Sequence, residues 1–322
     1  MTFPKLSSLI VILSFFLGNC AESFAAISEY RGGSNYAFYA LDGCKRDGSI
    51  VIRSYNQQKN IINRQLAGMY TNGQRRLRLP IFFRDGNTTS GLLDSSGGDL
   101  HPQDKANLAA FLAAVKQTGF EQVEIGFFPI GESSPATWKE WKEDTYQENW
   151  HLIQNLRPIF AASGLPYLID LDNEATPASN QKILLQYTQH LWTDYTRAFG
   201  KQDTIGFSII PNPQQDRFAQ TAQIYGTNPP DALDLHFYEN SYENIINAHN
   251  RLSLLGYGNI PWIIGEAYYN DAQEADEIAK AISQTHQKLL FITEWPLTRE
   301  KTCHDVDVAP PTEFNQYAKH GF

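Results

Sequence analysis

Short apolar runs alternate with longer amphipathic stretches along this chain. Eight runs have strand length and are rich in β-branched or aromatic residues: Tyr36–Tyr39, Leu77–Phe82, Val123–Phe128, Tyr167–Leu171, Ile205–Ile210, Leu233–Phe237, Trp262–Gly265 and Leu289–Thr293. Between them, several stretches follow the helical period. Asn56–Tyr70 precedes Asn72-Gly73, Gln103–Thr118 ends at Gly119, and Trp150–Ala162 ends before Gly164. Ser179–Phe199 ends at Gly200, Asn240–Leu255 ends at Gly256, and Asp271–Gln287 is a further helix. Strands alternating with helices imply parallel strands and right-handed crossovers. Eight such units predict an α/β fold, a single (β/α)8 TIM barrel, with an open doubly wound sheet as the runner-up. No glycine-rich phosphate-binding motif follows a strand, so a nucleotide-binding sheet has little support. Two connections are enlarged: Arg84–Asp99 after strand two and Gly131–Glu148 after strand three. In a barrel both would lie on the face where strands end and chemistry is done.

The N-terminus does not belong to this pattern. Lys5 precedes the apolar run Leu9–Leu17, which is too short to span a bilayer, and small residues follow. This is the form of a secretory signal, with Ser23 and Ala25 at the −3 and −1 positions of a cut after Ala25. Residues 1–25 are therefore expected to be a signal peptide and 26–322 one folded domain, exported to the periplasm or the extracellular space. Leu17-Gly18-Asn19-Cys20 also resembles a lipobox, so a lipid anchor at Cys20 is the alternative. Cleavage after Ala25 leaves Cys44 and Cys303, an even pair in an oxidising compartment, which suggests a disulfide. Barrel closure would bring these two together, one just after strand one and the other just after strand eight.

Composition narrows the chemistry. Lys and Arg number 26 against 35 Asp and Glu, a formal net charge of −9, so nothing draws the chain to nucleic acid or anionic lipid. His101, His151, His190, His249, His286, His304 and His320 show no metal-ligand spacing, and H-E-x-x-H, C-x-x-C and G-x-S-x-G are absent. No metal or other cofactor is expected. Aromatic residues make up 13% of the chain, which suits a large core and also surfaces that stack on sugar rings.

The informative residues sit where strands end. The fourth strand ends Leu171-Asp172-Asn173-Glu174-Ala175, and the seventh ends Ile263-Ile264-Gly265-Glu266-Ala267. In an eight-stranded barrel these strands face each other across the mouth. Two carboxylates brought together there can divide acid and nucleophile roles, as a retaining glycosidase requires at about 5–5.5 Å. Asp172 is a rival acid. Glu294 is a second rival, although pleat alternation with Trp295 should turn it away from the mouth.

On these residues the sequence resembles the clan A glycoside hydrolases, a (β/α)8 superfamily that includes cellulases and mannanases. The resemblance rests on Asn173-Glu174 at the end of strand four and Glu266 at the end of strand seven. Arg78 in Leu77-Arg78-Leu79-Pro80, His236 and Tyr238 in His236-Phe237-Tyr238, and Trp295 after strand eight extend it over nearly the whole mature chain. It implies a retaining glycoside hydrolase acting on a β-linked oligo- or polysaccharide, with Glu174 as acid/base and Glu266 as nucleophile. It further implies that Asn173 binds the sugar 2-hydroxyl, that Tyr238 orients Glu266, that Arg78 keeps Glu266 ionised, and that Trp295 floors the sugar site. His236 is a further expected substrate-site residue, and Trp138 and Trp141 are stacking platforms if exposed and packing residues otherwise. Two departures stand out: Ala175 replaces the clan's frequent proline, and Gly126-Phe127-Phe128 stands where a histidine often ends strand three. A barrel that binds glycan without cleaving it is the alternative. A monomer whose partner is its oligo- or polysaccharide substrate is expected.

Overall fold

A computed structural model describes residues 32–41, 46, 48–86, 89–211, 215–299 and 308–322. Residues 1–25, where a signal peptide is expected, with Cys20, and the expected Cys44–Cys303 pair lie outside the described residues. No helix among the described residues is long and apolar enough to cross a membrane.

Eight parallel strands form the barrel: β1 (Gly33–Asn35), β2 (Arg76–Arg84), β3 (Gln122–Pro129), β4 (Tyr167–Asp170), β5 (Thr204–Gly206), β6 (Leu233–His236), β7 (Trp262–Glu266) and β8 (Leu289–Glu294). Their spatial order is β5-β4-β3-β2-β1-β8-β7-β6. The remaining gap is spanned by a parallel bridge between Ile209 and Leu235. There the Ile209 amide donates to the Asp234 carbonyl at 3.0 Å and the His236 amide donates to the Ile209 carbonyl at 2.9 Å. The ring of strands is thereby complete.

Among the described residues, eight α-helices accompany the strands: α1 (Val51–Thr71), α2 (Pro102–Thr118), α3 (Glu143–Ala162), α4 (Lys182–Phe199), α5 (Arg217–Tyr225), α6 (Ser241–Leu254), α7 (Ala272–Thr285) and the short α8 (Asn315–Ala318). Local signals set their ends. Pro102 opens α2 behind His101, whose ring accepts from the Gln103 amide, and left-handed Gly119 closes it. Asp271 caps α7 by accepting from the Glu274 amide at 2.8 Å.

The strands are polar on one side and apolar on the other. Leu77, Leu79 and Ile81 of β2 and Val123, Ile125 and Phe127 of β3 are buried in the main hydrophobic core. The residues between them, Arg78 and Glu124, reach across the barrel interior and are also buried. This alternation places a charged layer inside a shell of aliphatic packing.

Three details depart from the sequence expectation. The first strand is Gly33–Asn35 rather than Tyr36–Tyr39, because the tyrosines pack in the turn beyond it. The Tyr36 amide still donates to the Arg78 carbonyl at 2.8 Å, so pairing with β2 continues one residue past the strand. Helix α3 starts at Glu143 and takes in part of the expected third loop. Glu143 and Asp144 suit a helix N-terminus, and Tyr146, Asn149, Trp150 and Ile153 form its buried stripe. Helix α5, with no counterpart in the expected pattern, follows Asp216, which accepts from the Ala219 amide. The second loop is long as expected, and its Leu93–Asp94 pairs with the end of β2.

Candidate active site

The site begins with the Arg78 guanidinium, fully buried in the barrel interior. Its Nε donates to Glu124 Oε1 at 2.7 Å, its Nη1 to Glu266 Oε1 at 2.8 Å, and its Nη2 to Asp170 Oδ2 at 2.8 Å. Further bonds run from Nη2 to Asn173 Oδ1 at 2.8 Å and from Nη1 to Asn35 Oδ1 at 3.1 Å. Asp234 Oδ2 lies 3.9 Å away. Gly126 makes room for this group. A Cβ there would stand 3.1 Å from Arg78 Nη2 and 2.8 Å from the Phe128 ring.

One guanidinium cannot balance four carboxylates in a low-dielectric interior, so protons must make up part of the difference. Burial pushes Glu124 well above the usual range, and the charge of Asp234 adds to this. Asp170 is pushed up to about 6, by burial first, against the opposing charge of Arg78. Glu266 is also raised, by burial, although the charges of His236 and Arg78 oppose the shift. The expected Arg78–Glu266 contact exists, yet burial outweighs it.

Glu174 follows β4 in a turn that puts it in the left-handed region at φ 54°. That conformation costs a non-glycine residue energy and has to be held by its surroundings. The Asn173 amide donates to the Phe127 carbonyl at 2.8 Å, and the Glu174 amide donates to Ser208 Oγ at 2.7 Å. Ser208 Oγ in turn donates to Asp170 Oδ2 at 2.8 Å, tying the turn to the inner layer.

His236, at the end of β6, lies between carboxylates. Its Nδ1 is 3.0 Å from Glu174 Oε1 and 3.6 Å from Glu266 Oε1, and its Nε2 is 3.2 Å from Asp234 Oδ2. Burial works against its charge, but the carboxylates of Glu266 and Asp234 hold its pKa well above the ordinary histidine value. Glu174 is consequently low. Burial raises it, and the hydrogen bond and charge of His236, with Arg78 and Arg217, more than reverse that. Glu174 and His236 thus form a hydrogen-bonded pair in which charge opposes burial on both groups.

One oxygen each of Glu174 and Glu266 and a ring nitrogen of His236 lie within 4.8 Å of one another. Tyr238 Oη donates to Glu266 Oε2, the oxygen not bonded to Arg78. A second carboxylate group, Glu124, Asp170 and Asp234, is equally close-set, but the Arg78 guanidinium already stands beside all three.

Aromatic rings close the opposite side of the mouth. Trp295, just past β8, stacks on Phe128 with centroids 6.0 Å apart and meets Phe82 edge-on at 6.4 Å. Phe128, where the histidine was absent, also lies over the Arg78 guanidinium at 5.3 Å. Trp138 and Trp141 are elsewhere. Trp138 is only 6% exposed and packs edge-on against Tyr187. Trp141 stacks near Tyr146 and His190, and its Nε1 donates to Glu143. They form an aromatic cluster between the third loop, α3 and α4, in which Trp138 is buried and Trp141 half-buried. The rival acids are also set apart. Asp172 is buried and raised by that burial, and Glu294 is bonded to Ser34 and the Asn270 amide.

Asn35, Glu124, Ser208 and Asp234 complete the site without having been singled out in the sequence. Their signal was a polar residue at every second position of strands otherwise made for burial, as in Gln122-Val123-Glu124-Ile125 and Asp234-Leu235-His236.

No protein-family model and no curated protein matches the sequence. Solved structures do match the fold. An exo-beta-1,4-mannosidase from Opitutaceae bacterium strain TAV5 superposes with a TM-score of 0.52 at 15% identity, over 84% of this chain and 52% of that one. A Bacteroides ovatus GH5 xyloglucanase in complex with a XXXG heptasaccharide gives 0.57 at 11% identity, over 90% and 73%. The Thermomonospora fusca beta-mannanase, in its mannotriose complex, gives 0.54 at 13% identity, over 90% and 89%. The chain thus spans about half of the mannosidase chain and most of the other two. At these identities the likeness is one of fold alone.

Proposed function

We propose that this protein is a retaining glycoside hydrolase acting on a β-linked glycan, with Glu266 as nucleophile and Glu174 as acid/base. The observation that carries this reading is the pair of carboxylates from opposite strands whose oxygens lie within 4.8 Å. A nearest-oxygen approach of this size fits a retaining pair, set about 5–5.5 Å apart, better than the about 6.5–9.5 Å by which an inverting pair makes room for water.

In the first half-reaction Glu266 attacks the anomeric carbon as the glycosidic C–O bond breaks, and Glu174 protonates the departing oxygen. In the second, Glu174 takes a proton from water, which attacks the same carbon and releases Glu266. Tyr238 and Arg78 bond one Glu266 oxygen each and thereby aim the carboxylate. Arg78 also fixes the Asn173 amide by binding its Oδ1, leaving Nδ2 as the donor to a sugar hydroxyl. Trp295 offers an apolar face to the C–H side of the ring.

The neighbours named above act on β-mannosides or xyloglucan, so those glycans head the substrate list. Export through the N-terminal segment and a Cys44–Cys303 disulfide belong to the same proposal. The test is a panel of β-1,4-mannan, glucomannan, xyloglucan and their oligosaccharides, scored by released reducing ends. The wild type should cleave at least one. Glu266→Gln should lose more than about 10³-fold in rate while still binding that glycan. Undiminished rate in this variant would refute the assignment, and binding without cleavage by the wild type would make the protein a glycan-binding barrel.

A further inference from the structure

His236 is held from both sides, and its second partner has no place in the mechanism so far. Asp234, two residues earlier on β6, is fully buried. Its Oδ1 accepts from the Gly265 amide at 2.6 Å and its Oδ2 faces His236 Nε2 at 3.2 Å. The fit depends on residue 265 being glycine, because a Cβ there would collide with both Asp234 oxygens. The alternation Asp234-Leu235-His236 puts carboxylate and imidazole on one face of the strand, and the bulge of β7 opposite brings Gly265 against them.

We propose that Asp234 is a positioning residue that keeps a proton on His236 Nε2, so that the proton on Nδ1 forms the reservoir from which Glu174 is charged as an acid. This deepens the glycosidase reading and rests on it for the role of Glu174. In the resting site both ring nitrogens carry protons and Glu174 is a carboxylate. When a glycan displaces water from Glu174, the Nδ1 proton crosses the 3.0 Å bond to Oε1. His236 then becomes neutral with its remaining proton on Nε2, directed at Asp234, and Glu174 becomes a carboxylic acid able to protonate the leaving oxygen. The proton that Glu174 later takes from water returns to Nδ1 by the same bond, so the cycle balances. Without Asp234 the neutral ring could place its proton on either nitrogen, and an Nδ1–H tautomer would leave Glu174 an unprotonated carboxylate, unable to act as an acid.

Other charged groups surround this chain of three. Glu266 of β7 is 3.6 Å from Nδ1 and Arg78 of β2 is 3.9 Å from Asp234. Asp170 of β4 and Glu124 of β3 share that arginine, Tyr238 binds Glu266, and Arg217 of α5 acts on Glu174. Only Asp234 contacts Nε2 among the described residues.

The test is the ring titration of His236 in the whole protein, by NMR of ¹⁵N-histidine-labelled samples, with the His236→Gln spectrum giving the assignment. In the wild type both ring protons should persist above pH 7. In Asp234→Asn the loss of an adjacent carboxylate should move the titration down by about one to three pH units. The alkaline limb of kcat/KM on the glycan found by the panel should move with it, while KM changes little. Glu174→Gln, a change in a partly exposed turn, serves as the second variant should Asp234→Asn not fold. In it, the neutral His236 ring should keep its proton on Nε2. An unmoved titration in Asp234→Asn, or an Nδ1–H tautomer in Glu174→Gln, would overturn the proposal. The ring measurements need no turnover. Failure of the glycan panel would therefore strike the glycosidase reading alone, and the titration would still decide the role of Asp234.

Discussion

At the scale of single residues, Arg78 decides the character of the site. Its guanidinium bonds Glu124, Asp170 and Glu266 at once, and it also fixes Asn35 and Asn173. Replacing it by methionine would leave those buried carboxylates without a counter-charge. We expect Arg78→Met to lose about 3–5 kcal/mol of stability, measured by urea unfolding. A loss below about 1 kcal/mol would mean that the carboxylates are already neutral. Residue chemistry also shapes the pH dependence of activity. As the proposed nucleophile, Glu266 must be ionised to attack, and burial raises its pKa, so the acid limb of kcat/KM should lie above the ordinary glutamate value of 4.5. A limb at or below that value would show Glu266 to be better solvated than its burial implies. Of the residues that could be read from sequence, Glu174, Glu266, Asn173, His236, Tyr238 and Trp295 belong to short motifs at strand ends, whereas Arg78 of Leu77-Arg78-Leu79-Pro80 stands third in the nine-residue β2 and not at its end. Asn35, Glu124 and Asp234 act through contacts across the barrel, and no local motif marks such contacts. Trp138 and Trp141 show the converse: their type suited a sugar platform, but only tertiary packing decides whether an indole face is open.

At the scale of elements, the strands hold two chemistries on one backbone. On β3, Val123, Ile125 and Phe127 pack outward while Glu124, Gly126 and Phe128 line the interior. Gly126→Ala would insert a methyl between Arg78 and Phe128. We expect a loss of about 1–3 kcal/mol from overpacking, together with reduced turnover, in thermal unfolding and rate assays of the same sample. Unchanged stability and rate would show that the guanidinium has room to move. Element type was legible wherever the period was sustained, as in α2 and α4. It was less legible where pairing is brief. β1 has three residues and β5 has three, and tyrosines beyond β1 mimic a strand while packing in a turn. Helix α3 extended into the third loop because its buried stripe starts at Tyr146, inside a stretch that reads as polar.

At the scale of the whole molecule, the interior concentrates acids that the fold keeps from ionising. Asp170 rises from 3.8 to about 6 and Glu274 from 4.5 to about 8, both chiefly through burial. Between the unfolded and folded pKa of such a group the native state binds more protons than the unfolded chain, so stability falls as pH rises. His236 has the same sign, since its folded pKa is raised. Glu143, Glu174 and Glu277 have lowered values and give stability that is lost as pH falls below about 4.5. The melting temperature should therefore peak near pH 5 and decline toward pH 8. A Tm that climbs steadily from pH 5 to 8 would contradict this balance. The barrel brings the ends of β4 and β7 across one mouth, where Glu174 and Glu266 are proposed to act with retention. The most direct test follows the anomer first released from a cleaved β-glycan by ¹H NMR, before mutarotation. The β-anomer should appear first, with the α-anomer growing in later, whereas initial release of the α-anomer would contradict the account.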